Sequence, residues 1–201
     1  MSKDVIKIAN CSGYYGDKLS AAKELVDGGP IDVLTGDYLA ELTMAILYGQ
    51  KLQRGDDKGY VGTFLKQIKE VAASCKEKNI KIVSNAGGLN PKSMAYEIEK
   101  ILDELSVNLK VAYIDGDNLI PRMSELMKQG ENFTNIDKKI SLNDSECDPL
   151  TANAYLGAWG IKEALDNGAD IVVCPRVTDA AVVIGPACLL YTSDAADEPS
   201  S

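Results

Sequence analysis

Asp37 and Glu41 stand four residues apart in Thr35-Gly36-Asp37-Tyr38-Leu39-Ala40-Glu41. If a helix begins there, that spacing sets two carboxylates on one face, where one can act as acid and the other as base. Each also has a plainer role, Asp37 as the helix cap and Glu41 as a first-turn acid favoured by the helix dipole. Arg176, in Pro175-Arg176-Val177-Thr178-Asp179, suits a clamp on a carboxylate or phosphate. Its rival role is an ion pair with Asp179 or Asp37, and Asp179 joins the candidate catalytic carboxylates. In Ser84-Asn85-Ala86-Gly87-Gly88-Leu89-Asn90-Pro91, Gly87 and Gly88 would let backbone N–H groups approach an anion. Asn85 and Asn90 would add polar contacts, and a helix N-terminus behind them would add partial positive charge. The same residues also suit a tight turn, with Asn90 as N-cap and Pro91 as first helical residue. Asp115 and Asp117 suit Mg²⁺ or ligand hydroxyls, and equally a turn. Ser12 and Gly13 lie in Asn10-Cys11-Ser12-Gly13-Tyr14-Tyr15-Gly16-Asp17, which could form a cradle but lacks both GxGxxG and GxxxxGK[ST] spacing. Cys11 sits where a nucleophile could sit, yet no basic residue adjoins it, which favours a small semi-buried side chain.

Composition removes several classes. The chain has no histidine, so Ser-His and Cys-His pairs are absent from it. Its five cysteines show no CxxC spacing, which argues against a zinc site or a disulfide framework and for a reducing compartment. No metal ligand set is assigned, and the cofactor is left open. With 21 basic against 30 acidic side chains, a nucleic-acid or anionic-membrane surface is not expected. No apolar run reaches the ~18 residues that a membrane helix needs. The N-terminus enters a β-like run without a signal peptide, so a cytoplasmic location is expected.

The elements that must hold these residues are legible from periodicity. Short β-branched runs at Val5–Ile8, Ile31–Leu34, Ile80–Val83, Lys110–Ile114 and Ile171–Cys174 read as strands covered on both faces. Amphipathic patterns at Leu19–Val26, Leu39–Tyr48, Tyr60–Lys76, Pro91–Ser106, Ile120–Gln129 and Ala154–Asn167 read as helices. Trp159 and Tyr155, in the last of these, are expected to pack rather than to stack on a ligand. Polar stretches at Gly49–Gly59 and Glu131–Pro149 read as loops. Alternating strands and helices predict an α/β fold with a mostly parallel sheet and helices on both faces, Rossmann-like or doubly wound. The start of a β/α barrel is the alternative. Every chemically unusual loop named above follows a strand, which points to a ligand site along the carboxyl edge of the sheet.

From Cys188 the sequence runs Cys-Leu-Leu-Tyr-Thr-Ser-Asp-Ala-Ala-Asp-Glu, the in-frame translation of a common transposon-end sequencing adapter. Residues 1–187 are therefore expected to be one α/β domain, the N-terminal part of a longer protein, with 188–201 an artefactual disordered tail.

Residues 10–17, 29–41 and 84–91, together with Thr151-Ala152-Asn153-Ala154-Tyr155-Leu156-Gly157-Ala158-Trp159-Gly160 and Arg176-Val177-Thr178-Asp179-Ala180-Ala181, resemble the acyclic terpene utilisation family, A-type. The resemblance spans residues 4–187 and implies a bacterial catabolic setting beside enzymes of branched acyl-CoA metabolism. It transfers no catalytic residue. The expectation is a catabolic enzyme acting on branched carboxylic acids or their CoA thioesters, with a small anionic substrate, no nucleic-acid or membrane partner, and room for homo-oligomerisation. Two alternatives stay open, a non-catalytic partner or regulatory subunit of an acyl-CoA pathway and a nucleotide-dependent enzyme.

Overall fold

The computed structural model describes residues 5–195. Five parallel strands, β1 (Ile8–Asn10), β2 (Val33–Gly36), β3 (Lys81–Ser84), β4 (Val111–Tyr113) and β5 (Ile171–Val173), form one open sheet in the order β1-β2-β3-β5-β4. A barrel places consecutive strands side by side until the sheet closes. Here β5 inserts between β3 and β4 and the sheet stays open, so the barrel alternative is set aside.

Helices α1 (Ala21–Gly28), α2 (Glu41–Arg54), α3 (Gly62–Lys78), α4 (Pro91–Leu105), α5 (Met123–Lys128), α6 (Trp159–Asp166) and α7 (Ala181–Ala195) fill the connections. A short 3₁₀ turn, Ile120–Arg122, precedes α5, where Pro121 cannot donate to a regular helical ladder. Neighbouring strand residues serve opposite faces because the pleat alternates side chains. Leu34, Ile82, Ile171 and Val173 pack with Val26 of α1, Phe64 and Ile68 of α3, and Met94 and Ile98 of α4. Val33, Val83 and Val172 pack on the other face with Ile161 and Leu165 of α6 and Ala181 and Val182 of α7. Each such buried aliphatic side chain contributes about 1.5–3 kcal/mol relative to exposure.

The chain leaves β3 through α4 on the first face and leaves β5 through α7 on the second. Adjacent strands whose outgoing loops part to opposite faces create a crevice at their carboxyl ends. That crevice lies between β3 and β5.

Several boundaries differ from expectation. Glu41–Arg54 is helical well into the stretch expected as a loop, and Ala154–Ala158 is not in a helix. Gly157 and the absence of an apolar stripe weaken helix there, and the segment instead crosses the sheet edge. Ala154 N–H donates to the Asp117 carbonyl (2.7 Å), Leu156 N–H to that of Arg176 (3.3 Å), and Thr178 N–H to that of Leu156 (2.9 Å). Residues 188–195, expected to lie outside the fold as a disordered tail, continue α7, and Leu189 packs on the second core. The remainder of that tail lies outside the described residues. Among the described residues no helix is long and apolar enough to cross a membrane.

Candidate active site

Five of the sequence-selected residues meet at the carboxyl edge: Asp37, Glu41, Asn85, Asp117 and Arg176. Arg176 follows β5 and is buried. Its Nη1 donates to the Leu39 carbonyl (2.7 Å) and its Nη2 to Glu41 Oε1 (3.2 Å). The guanidinium carbon lies 4.2 Å from the ring centroid of Tyr155, a cation–π contact. The ion pair is lopsided, because the arginine side chain is 5% exposed and that of Glu41 is 81% exposed. Arg176 pairs with Glu41, not with Asp179 or Asp37. The Tyr155 hydroxyl also donates to Glu41, and this bond, ahead of the field of Arg176, holds the carboxyl below its ordinary range.

Asp117 is buried. Its Oδ2 accepts the Asn153 side-chain amide (2.7 Å) and the Arg176 backbone N–H (3.3 Å). Burial pushes its carboxyl above the ordinary range, with those hydrogen bonds pulling it back. This carboxylate ties the loop after β4 to the segment 153–156 and to the loop after β5. Asp115, two residues earlier, is exposed and does not join it.

Asp37 is half-buried and does not cap α2, whose N-cap is Ala40 with no side-chain bond. Its carboxylate instead accepts the Asn85 side-chain amide (2.6 Å), while Asn85 Oδ1 accepts the Tyr38 N–H (2.8 Å). Burial raises the Asp37 carboxyl above its usual range. The Asn85 amide opposes that rise, Asp179 adds to it, and Arg176 opposes it. Asp179 is exposed, and near enough for its charge to act on Asp37.

The backbone amides of the glycine-rich loop are turned to acceptors within the protein. Gly87 N–H donates to the Cys174 carbonyl (3.1 Å), Gly88 N–H to Asn85 (3.2 Å), Leu89 N–H to Gly59 (2.8 Å) and Asn90 N–H to Gly87 (2.9 Å). Asn90 caps α4 by accepting from Ser93 N–H (3.2 Å), and its amide donates to the Asp56 carbonyl (3.0 Å). The glycines are needed for close approach. A Cβ on Gly87 would sit 2.6 Å from the Cys174 oxygen, and one on Gly88 (φ +53°) 2.4 Å from Leu47 Cδ1 of α2. The loop after β1 is likewise closed on itself. Ser12 Oγ donates to the Tyr14 carbonyl (2.9 Å) and Gly13 N–H to Asp17 Oδ2 (2.9 Å). Cys11 is buried beside the Tyr38 hydroxyl, and burial raises its thiol, the opposite of what a nucleophile needs.

A cleft of about 190 Å³ opens over the arginine, lined by Glu41, Met44, Thr151, Asn153, Tyr155 and Arg176. A family model described as acyclic terpene utilisation family protein AtuA matches residues 6–197. The chain belongs to this family. The matched stretch contains the whole sheet and every residue of the cleft, and it extends past Ala187 into the residues that read as adapter. Comparison with curated proteins and with solved structures gives no match. Among the described residues no group of three or more His, Cys, Asp or Glu side chains is placed to hold a metal ion.

Tyr155 and Asn153 of this AtuA-family chain were not selected from the sequence, Tyr155 because a helix was expected to turn it into the core. The available signal was Gly157 and the lack of helical periodicity around it. Trp159, expected to pack, is 77% exposed at the start of α6.

Proposed function

We propose that the cleft over Arg176 binds a small carboxylate-bearing molecule, a branched acid or its CoA thioester, within a catabolic enzyme of the acyclic terpene utilisation family. One observation carries the reading. A buried guanidinium, fixed by a backbone carbonyl and an aromatic face, presents itself to an open cleft with a highly exposed carboxylate as its partner. Glu41 occupies the position that an incoming anion would take, and its exposure makes it easily displaced. A preorganised arginine is suited to carboxylates and phosphates because its donors match their oxygens two at a time. Asp37, raised by burial and set at the same crevice, is the group best suited to exchange a proton with a bound acid.

A second reading is that the chain binds its ligand without turning it over. It is favoured by the way Asn85 and Asn153 donate their amides to Asp37 and Asp117, while Asn85 Oδ1 and Asp117 accept backbone N–H groups.

Thermal melting with short branched carboxylic acids and their CoA thioesters separates these readings from no function at this site. A ligand at 100 times its Kd adds about 2.7 kcal/mol, roughly 5–10 °C for a domain of this size. Arg176→Lys, which cannot hold the Leu39 carbonyl and the Tyr155 face together, should abolish the shift. An equal shift in wild type and Arg176→Lys removes the anchor from the proposal. Binding without turnover selects the second reading.

A further inference from the structure

On another side of α2 a cavity of about 350 Å³ is bounded by Arg54, Lys58, Lys66, Gln50, Tyr15 and Tyr60. The chain as a whole carries a net charge of −9. Even so, the lining of this cavity has three cationic side chains and no carboxylate. Arg54 and Lys66 form no ion pair among the described residues, while Lys58 pairs with Asp57 (2.5 Å) at the rim and lies 5.9 Å from the centroid of the Tyr60 ring. Tyr15 and Tyr60 supply the walls, and the Tyr15 hydroxyl accepts from Gln50 Nε2 (3.1 Å), which fixes one of them. The cavity also meets the start of the 17-residue α3, where Val61 gives no side-chain cap and the N–H groups of Gly62 and Thr63 have no acceptor among the described residues.

We infer that this cavity binds a phosphate-bearing small molecule. Three cations on one lining, of which only Lys58 has a carboxylate partner, favour a multiply charged anion, and guanidinium and ammonium groups are the usual phosphate partners. Helix-start amides add directed donors. The cavity exceeds what a bare phosphate fills, and the tyrosine walls suit a planar or sugar-like portion. The inference is independent of the Arg176 cleft, which shares no lining residue with this cavity.

Calorimetric titration of the full chain with ADP and with pyrophosphate, at low salt, tests it. Either ligand should bind, more weakly as salt rises. ADP binding tighter than pyrophosphate assigns a contribution to the tyrosine walls, and equal binding confines recognition to the phosphates. Arg54→Gln and Lys66→Gln should each weaken binding roughly tenfold or more. Both positions are exposed, and unchanged melting curves confirm that the variants fold. Lys69→Gln, on the same helix as Lys66 but outside the cavity and paired with Glu104, should bind as wild type. Absence of binding by both ligands up to about 1 mM, or wild-type binding in Arg54→Gln and Lys66→Gln, overturns the assignment.

Discussion

The loops after β3 and β5 lie side by side, touch through the Gly87 N–H and the Cys174 carbonyl, and use their polar groups in opposite ways. The first contains two glycines, two asparagines and a helix start, and directs its backbone N–H groups from Gly87 to Asn90 inward to protein carbonyls. The second contributes one buried cation whose charge faces an open cleft. A loop rich in turn formers announces a tight path for the chain, and that path can be needed for packing alone. The proposed ligand site rests instead on a charged group that the fold holds rigidly but whose charged partner is exposed.

Substitutions can break this contrast. The largest effect is expected from Gly87→Ala, whose new methyl would meet the Cys174 oxygen and Pro91. Urea unfolding should show a loss of about 2–3 kcal/mol, the scale of an overpacked core. Normal stability with altered ligand binding would return the loop to the role of a cradle. A smaller effect is expected from Asp37→Asn, which keeps an oxygen for the Asn85 amide. A carboxyl raised by burial favours folding when protonated and opposes it once ionised. Its removal should therefore stabilise at pH 7 by no more than about 1 kcal/mol, a gain that fades as pH falls toward about 4. A variant less stable at pH 7 would mean that the ionised carboxylate supports the crevice. The smallest effect is expected from Tyr155→Phe. Stability should stay within about 0.5 kcal/mol, while the Glu41 carboxyl, followed by NMR titration, should rise toward its ordinary value. An unmoved Glu41 would detach the tyrosine from the arginine cluster.

The sheet was legible because strand covering leaves a mark in sequence. Runs such as Ile171-Val172-Val173 are apolar on both pleat faces, and long helices such as α3 repeat their apolar stripe over several turns. Strand order was not legible, since the neighbours of β5 are chosen by packing between elements far apart in the chain. Of the site, Arg176, Glu41 and Asp37 could be picked out as charged residues following strand runs. The partner of each could not, because Tyr155 meets Glu41 across 114 residues and Asn85 meets Asp37 across 48. The misreading of Ala154–Ala158 as helix then hid Tyr155, and the two-sided chemistry of the glycine-rich loop could be resolved only by seeing which acceptors its amides reach.

The position of β5 bears on how the molecule is built. Among the described strands it comes latest in the chain, yet it pairs with β3 on one side and β4 on the other. Until residue 173 has emerged, β4 has no partner in the sheet and β3 presents a bare edge. During vectorial synthesis the chain must therefore keep an unfilled slot open, and folding of β4 has to wait for a strand nearly 60 residues downstream. Such late, non-local closure slows folding and lengthens the interval in which the β3 edge can recruit a foreign strand.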